Sequence, residues 1–204
     1  MQFELVDRVN SKLGDLKFYI ESNIGSSSLY NNQRTVADKI EELCKEFFRL
    51  DDFRVDEATS NRSVEDFRLE GELVDAKTHS NSKSFSMPQI ISFWRYKNLL
   101  DEDGGIDTNL FELIVSYRYE NDLFIVEDIK FDSFFNLDTS CIRIDNLGNG
   151  LIQLNTSKDE VYIFQDNDIH KFNRILNDKY IEYCDKQIDK IKKNKEKIVE
   201  IEQE

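Results

Sequence analysis

Proline is almost missing from this chain, and glycine is scarce. One proline (Pro88) and seven glycines among 204 residues leave little material for a loop-dominated fold. Histidine is nearly as rare, with only His79 and His170, so no zinc site can be assembled at ordinary ligand spacing. The three cysteines, Cys44, Cys141 and Cys184, are odd in number, far apart and in no CxxC arrangement. Reduced thiols in a cytosol are the expectation. No apolar run nears the roughly 18 residues that a membrane span requires. The opening MQFELVDRVN carries acids and lacks the apolar centre of a signal peptide. A soluble, cytoplasmic protein with no membrane partner is therefore expected. Positive charge is also short: 27 Lys and Arg against 41 Asp and Glu give a net charge of −14. That balance excludes a generic nucleic-acid binder, so any contact with DNA must rest on local charge.

What is present suffices for a core. Hydrophobic residues make up 39% of the chain and aromatics 12%, spread along its whole length, which argues against disorder despite the high charge. The length suits one domain, residues 1–204. Residues 1–22 read as a weakly amphipathic first helix, followed by a turn-rich loop from Ser22 to Asn32. A second helix is predicted from Thr35, a plausible N-cap, to Leu50, because Val36, Ile40, Leu43, Cys44 and Phe47 recur at helical spacing. Residues 89–100 also look helical. Residues 110–119 and 122–131 read as a strand pair turning at Glu120-Asn121. A further pair is predicted at 141–145 and 151–154, turning at Gly148-Asn149-Gly150. From about 167 to 203, Ile169, Phe172, Leu176, Tyr180, Cys184, Ile188 and Ile191 mark one long amphipathic helix. The fold class expected is α/β (α+β), a central mixed and largely antiparallel sheet flanked by helices, with a long C-terminal helix.

The informative segment runs from Glu65 to Thr78. Glu70-Gly71 reads as a two-residue hairpin turn, with glycine supplying a positive φ. The register then pairs Leu69 with Glu72, Arg68 with Leu73, Phe67 with Val74 and Asp66 with Asp75. Phe67, Leu69, Val74 and Ala76 share one face, suited to a core; Asp66, Asp75 and Lys77 share the other. Opposed residues lie roughly 4.5–5.5 Å apart at Cβ, where like charges destabilise. A hard divalent cation such as Mg²⁺ removes that problem, because it takes oxygen ligands and is usually held by one or two carboxylates plus phosphate. Lys77 would sit beside the water and the phosphate and could neutralise developing charge. The alternative is an exposed hairpin with incidental charges.

Asp66 followed, after eight residues, by Asp75-Ala76-Lys77-Thr78 resembles the signature of the PD-(D/E)xK nucleases, and its ending is similar to that of many type II restriction endonucleases. A looser likeness extends through SMPQIISFWRYKNLL and NLGNGLIQL, so the resemblance covers about residues 36–155. It implies a restriction endonuclease-like fold, metal binding by Asp66, Asp75 and the backbone carbonyl of Ala76, and Lys77 as the catalytic lysine. The chain departs from the pattern in having Glu65 rather than proline before the first aspartate, and in a short linker that a tight hairpin accommodates. The (D/E)xK pattern alone is weak, since Asp15-Leu16-Lys17 and Asp128-Ile129-Lys130 also match it. The first lies in a helical segment. The third has Leu113, not a carboxylate, opposite Asp128 in the expected register.

Many members of that family add a glutamate from the preceding helix. Glu41 lies about 100° from the Ile40 face, and is the candidate; a plain surface glutamate is the alternative. Residues 76–98 contain Lys77, His79, Lys83, Arg95 and Lys97 and no acid. DNA contacts are expected from Lys83, Arg95 and Lys97, with polar help from Ser80, Asn81 and Ser82; a chance gap among solvated charges is the bland reading. Trp94, Phe93 and Tyr96 are expected in the core rather than stacked on bases. The late helix is basic through Lys186, Lys190, Lys192, Lys193, Lys195 and Lys197, which suits a solvated face, a dimer contact or a DNA-backbone arm. The expected activity is Mg²⁺-dependent hydrolysis of double-stranded DNA, with no nucleotide cofactor. One site per chain and two strands per duplex make a homodimer the economical assembly. A repair or phage nuclease of the same fold is a near alternative. An acidic, non-enzymatic protein that associates through its C-terminal helix is the alternative from another class.

Overall fold

The structure is a computed structural model and describes residues 2–25, 33–59, 65–80, 89–100, 109–145, 150–154, 164–165 and 168–201. The expected first helix is two: α1 (Gln2–Asn10) and α2 (Leu13–Asn23). The break falls at Ser11, whose hydroxyl donates to the Arg8 carbonyl at 2.7 Å and so competes with helix continuation. Helix α3 (Gln33–Leu50) starts two residues ahead of Thr35, which lies inside the first turn rather than capping it. Its apolar stripe of Val36, Ile40, Leu43, Cys44, Phe47 and Phe48 is buried as the periodicity requires.

Then follow β1 (Val55–Glu57), β2 (Phe67–Leu69), β3 (Glu72–Ser80), β4 (Gln89–Ser92), α4 (Phe93–Lys97), β5 (Leu110–Glu120), β6 (Leu123–Ser133), β7 (Ile142–Asp145), β8 (Leu151–Leu154) and α5 (Ile169–Ile201). A five-stranded sheet runs β1-β2-β3-β5-β6, and a three-stranded sheet runs β4-β8-β7. All pairs are antiparallel except β3 with β5. The α/β expectation with a mostly antiparallel sheet, flanking helices and a long C-terminal helix therefore holds. The predicted helix over 89–100 does not: its first four residues pair with β8 as a strand. Only Phe93–Lys97 coils, with the Ser92 side chain accepting from the Arg95 N–H as its cap.

The β2-β3 hairpin turns where expected, with Glu70 at φ 54° and Gly71 at φ 91°, the two positive values of a type I′ turn. Glu70 is an unusual residue for that conformation, and it is pinned: Arg8 Nη1 lies 2.7 Å from its Oε1, and its own N–H donates to the Arg54 carbonyl at 2.9 Å. The β5-β6 hairpin turns one residue later than expected, at Asn121 (φ 52°) and Asp122 (φ 65°). Asn and Asp tolerate the left-handed region better than Glu120 does. With a register shift between Ser116 and Tyr117, Asp128 faces Ser116, and Leu113 faces Phe131.

Two cores lie on opposite faces of the large sheet. Helices α1 to α3 cover one, packed on Phe67, Leu69, Val74, Phe111, Leu113 and Val115. Leu73, Leu110 and Ile114 join the other, with the small sheet, α4 and the first turns of α5. Phe93 stacks on Tyr180 at 3.9 Å between ring centroids, and Phe93 and Tyr96 are buried whereas Trp94 is exposed.

Candidate active site

Alternation along β3 decides which side chains can meet. Val74 and Ala76 point to the helical core, so Leu73, Asp75, Lys77 and His79 point the other way. Asp66 precedes β2 and sits in a bend; its N–H donates to the Val74 carbonyl at 2.9 Å. Its Oδ2 accepts the Ala76 N–H at 2.8 Å. Asp66 thus continues the hairpin with its side chain rather than as a ladder pair with Asp75. Lys77 ties the two aspartates together, forming an ion pair with Asp75 Oδ1 and lying 3.8 Å from Asp66 Oδ2. An extended residue turns its N–H and C=O to one strand edge, so the Ala76 carbonyl lies on the Asp66 side of β3.

The two aspartates differ in surroundings. Asp66 keeps 31% of its side chain exposed, against 2% for Asp75. Burial pushes the Asp75 carboxyl up to about 8; Lys77 opposes the rise and Asp66 adds to it. Burial also works against the Lys77 ammonium, but Asp75, Asp66 and Glu112 outweigh it and hold the lysine above its usual range. Asp75 Oδ2 is buried and has no hydrogen-bond partner, a state that costs about 1–3 kcal/mol for a neutral group and more for a charged one.

A residue that the sequence reading passed over is part of this site. Glu112 on β5 is level with Asp75 in the parallel register, is fully buried, and neither carboxylate oxygen has a hydrogen-bond partner. Burial, with Asp75 beside it, raises this carboxyl well above the usual range. The signal was available: one acid interrupts the apolar run LFELIV, where a central strand buried on both faces reads as nearly continuous hydrophobics.

Glu41 lies close enough to the hairpin for Asp66 to act on it. Burial raises its carboxyl, the Asp66 charge adds to that, and Lys45 opposes it; Lys45 Nζ is 3.2 Å from Glu41 Oε1. The other (D/E)xK matches are elsewhere: Asp15 is in α2, and Asp128 pairs with Lys130 at 3.6 Å on β6. Of the expected DNA-contacting residues, Ser80 ends β3 half-buried, and Arg95 is exposed on α4. The Lys97 ammonium is turned to α5, 3.4 Å from Asn177 Oδ1. Asn81, Ser82 and Lys83 lie outside the described residues. His79 is buried on β3.

The site is rich in oxygen donors, with Asp66, Asp75 and Glu112 against the single ammonium of Lys77. That wealth of carboxyl oxygens and the unpartnered Asp75 oxygen fit a hard divalent cation held by carboxylates and completed by water or phosphate. Among the described residues, no three acid, histidine or cysteine side chains are already gathered around one point.

No protein-family profile matches the chain, and no curated protein matches it by sequence. Among solved structures it is similar to the NlaIV restriction endonuclease, with a TM-score of 0.53 at 15% identity, over 74% of this chain and 66% of that one. The match thus spans just under two thirds of the neighbour's length. Also, among the described residues, no helix is long and apolar enough to cross a membrane. The chain has a restriction endonuclease-like fold.

Proposed function

We propose that this protein is a Mg²⁺-dependent endonuclease that hydrolyses phosphodiester bonds in double-stranded DNA, as a sequence-specific homodimer of the type II restriction kind. The observation that carries the reading is the meeting of Asp66, Asp75 and Lys77 at one end of the β2-β3 hairpin, with a buried Asp75 oxygen left without a partner. A restriction endonuclease-like fold with a solved neighbour of that name supports it.

In this reading Asp66 and Asp75 hold the cation, with the Ala76 carbonyl on the same strand edge. When bound, the cation supplies Lewis acidity, making water a better nucleophile and neutralising phosphoryl oxygens. The chain does the rest. Asp66, the more exposed carboxylate, faces the substrate side, and its bond to the Ala76 N–H fixes its orientation. Lys77, held between two carboxylates, keeps its proton and offers positive charge to the scissile phosphate as charge builds there. Water adds to phosphorus and gives up a proton, the bond to the leaving sugar oxygen breaks, and that oxygen takes up a proton from solvent. Glu41 borders the hairpin, close enough for the Asp66 charge to act on its carboxyl.

The dimer draws support from α5. Beyond the turns that pack on the body of the protein, Ile181, Ile188, Ile191 and Ile198 are exposed at spacings of seven, three and seven, the repeat of a coiled-coil seam. Paired antiparallel about a two-fold axis between Ile188 and Ile191, each Ile188 meets the partner's Ile191. Asp185 then comes near the partner's Lys192. The same seam would serve a non-enzymatic interaction protein, and one gel separates the two readings. Plasmid DNA incubated with the protein and Mg²⁺ is expected to give discrete bands. A smear would leave a nonspecific nuclease, and intact plasmid would overturn the enzymatic reading.

A further inference from the structure

A row of acids crosses the large sheet on its non-helical face: Asp66 ahead of β2, Asp75 on β3, Glu112 on β5 and Asp132 on β6, with Asp75 level with Glu112 and Glu112 level with Asp132. The outermost is explained by local structure. Asp132 Oδ1 accepts the Ser133 N–H at 2.7 Å and the Asn136 side-chain amide at 2.9 Å, which fastens the 3₁₀ turn after β6. Glu112 has no such account. It is 0% exposed, and both of its oxygens lack a hydrogen-bond partner. Buried polar groups are nearly always satisfied, so an exception calls for an unplaced partner. The neighbours narrow what that partner is. Lys77 is engaged with Asp75 Oδ1, whereas Asp75 Oδ2 is unpartnered like the Glu112 oxygens. Adjacent strands thus present unpartnered carboxylate oxygens at one level of the sheet, and an apolar residue at position 112 would cost the fold nothing in hydrogen bonds.

We propose that Glu112 is a cation-holding residue, joining Asp75 in binding a divalent cation from the strand opposite Asp66. Asp75 is then the shared carboxylate, flanked by Asp66 on one side and Glu112 on the other. The inference rests on the nuclease reading above but concerns a residue outside the (D/E)xK pattern. Because no three such side chains are gathered around one point among the described residues, cation binding must draw the Glu112 carboxylate toward Asp75, and Glu has the reach to move.

The test uses the full chain without DNA, titrated with Mg²⁺ alone and followed by calorimetry and thermal melting. Glu112→Gln keeps the shape and removes the charge. The expected result is a cation-free melting temperature equal to or above that of the unmodified protein, with Mg²⁺ affinity lowered about tenfold or more. Asp75→Asn should lose Mg²⁺ binding as well, and Asp132→Asn, in the same row but locally satisfied, should retain it. Unchanged Mg²⁺ affinity in Glu112→Gln, with Asp75→Asn impaired, would overturn the role of Glu112 and leave the nuclease reading standing. An unmodified protein that binds no Mg²⁺ would overturn both. If Glu112→Gln does not fold, Glu112→Asp keeps the charge on a shorter arm; reduced affinity there supports the proposal, and full affinity overturns it.

Discussion

Strands β3 and β5 show two different faces to the rest of the molecule. Toward α1 to α3 they present Val74, Ala76, Phe111, Leu113, Val115 and Tyr117, all apolar or aromatic and all in one core. Toward the small sheet they present Leu73, Asp75, Lys77 and His79 beside Leu110, Glu112, Ile114 and Ser116. The second face is as buried as the first at Asp75, His79 and Glu112, yet it gives up packing for charge. The lesson is that burial by itself does not tell a core from a site. Buried carboxyl oxygens without partners do so here, at Asp75 and Glu112, because a fold selected for stability alone would not keep them.

Substitutions on the two faces should therefore separate activity from stability. The largest effect expected is on cleavage: Asp75→Ala or Lys77→Ala should lower the single-turnover rate by about 10²–10³ or more. The cation-free melting temperature of Asp75→Ala should stay level or rise. Leu113→Ala, on the other face, should cost about 2–5 kcal/mol of stability and leave the rate per folded molecule intact. If Asp75→Ala unfolds the protein while cutting survives in its folded fraction, the contrast between the faces is wrong.

Next in size is assembly. Ile188→Asp with Ile191→Asp should convert a dimer to a monomer in sedimentation while the melting temperature holds, because both residues are exposed on α5. A dimer that persists would remove α5 from the interface.

A pH series sharpens the comparison further. With Asp75 raised to about 8 in the folded protein and an ordinary carboxyl near 4 in the unfolded chain, the folded state holds a proton that the unfolded state has released. Cation-free stability should thus fall as pH rises from about 4 to about 8 and then level off. Asp75→Asn should flatten that slope; equal slopes in both proteins would show that other groups govern it.

Smaller effects belong to the periphery. Arg95→Ala should weaken duplex binding and lessen its salt dependence by about 0.9 in the log–log slope for each lost phosphate contact. Lys97→Ala should do less, since its ammonium is turned to Asn177; the reverse order would mean that α4 meets DNA by its other side. The mildest change is expected from Glu41→Gln, whose contact is with Lys45 and whose cleavage rate should remain nearest that of the unmodified protein.

How much of this was legible in the residues varied with the range of the interaction. The hairpin pairs Phe67 with Val74, Arg68 with Leu73 and Leu69 with Glu72, as the Glu70-Gly71 turn and the alternation predicted. The α3 stripe and the β7-β8 pair were equally readable. Misreadings arose where near-equal local choices were settled by neighbours. Residues 89–92 have β-branched character and formed a strand because β8 was there to pair with them. The β5-β6 turn slid by one residue to positions that accept positive φ, and that slip together with the register shift between Ser116 and Tyr117 changed the partners of Asp128 and Lys130.

Sequence alone determined the local part of the candidate site: a two-residue turn sets the hairpin register, and period-two alternation assigns Asp75 and Lys77 to one face whatever surrounds them. Only the tertiary structure decided the parallel pairing of β3 with β5, which brings Glu112 level with Asp75, and the depth of burial that leaves its oxygens without partners. Parallel neighbours are joined by a long crossover rather than a turn. No nearby residue pattern encodes their register, and packing of both faces of the sheet selects it.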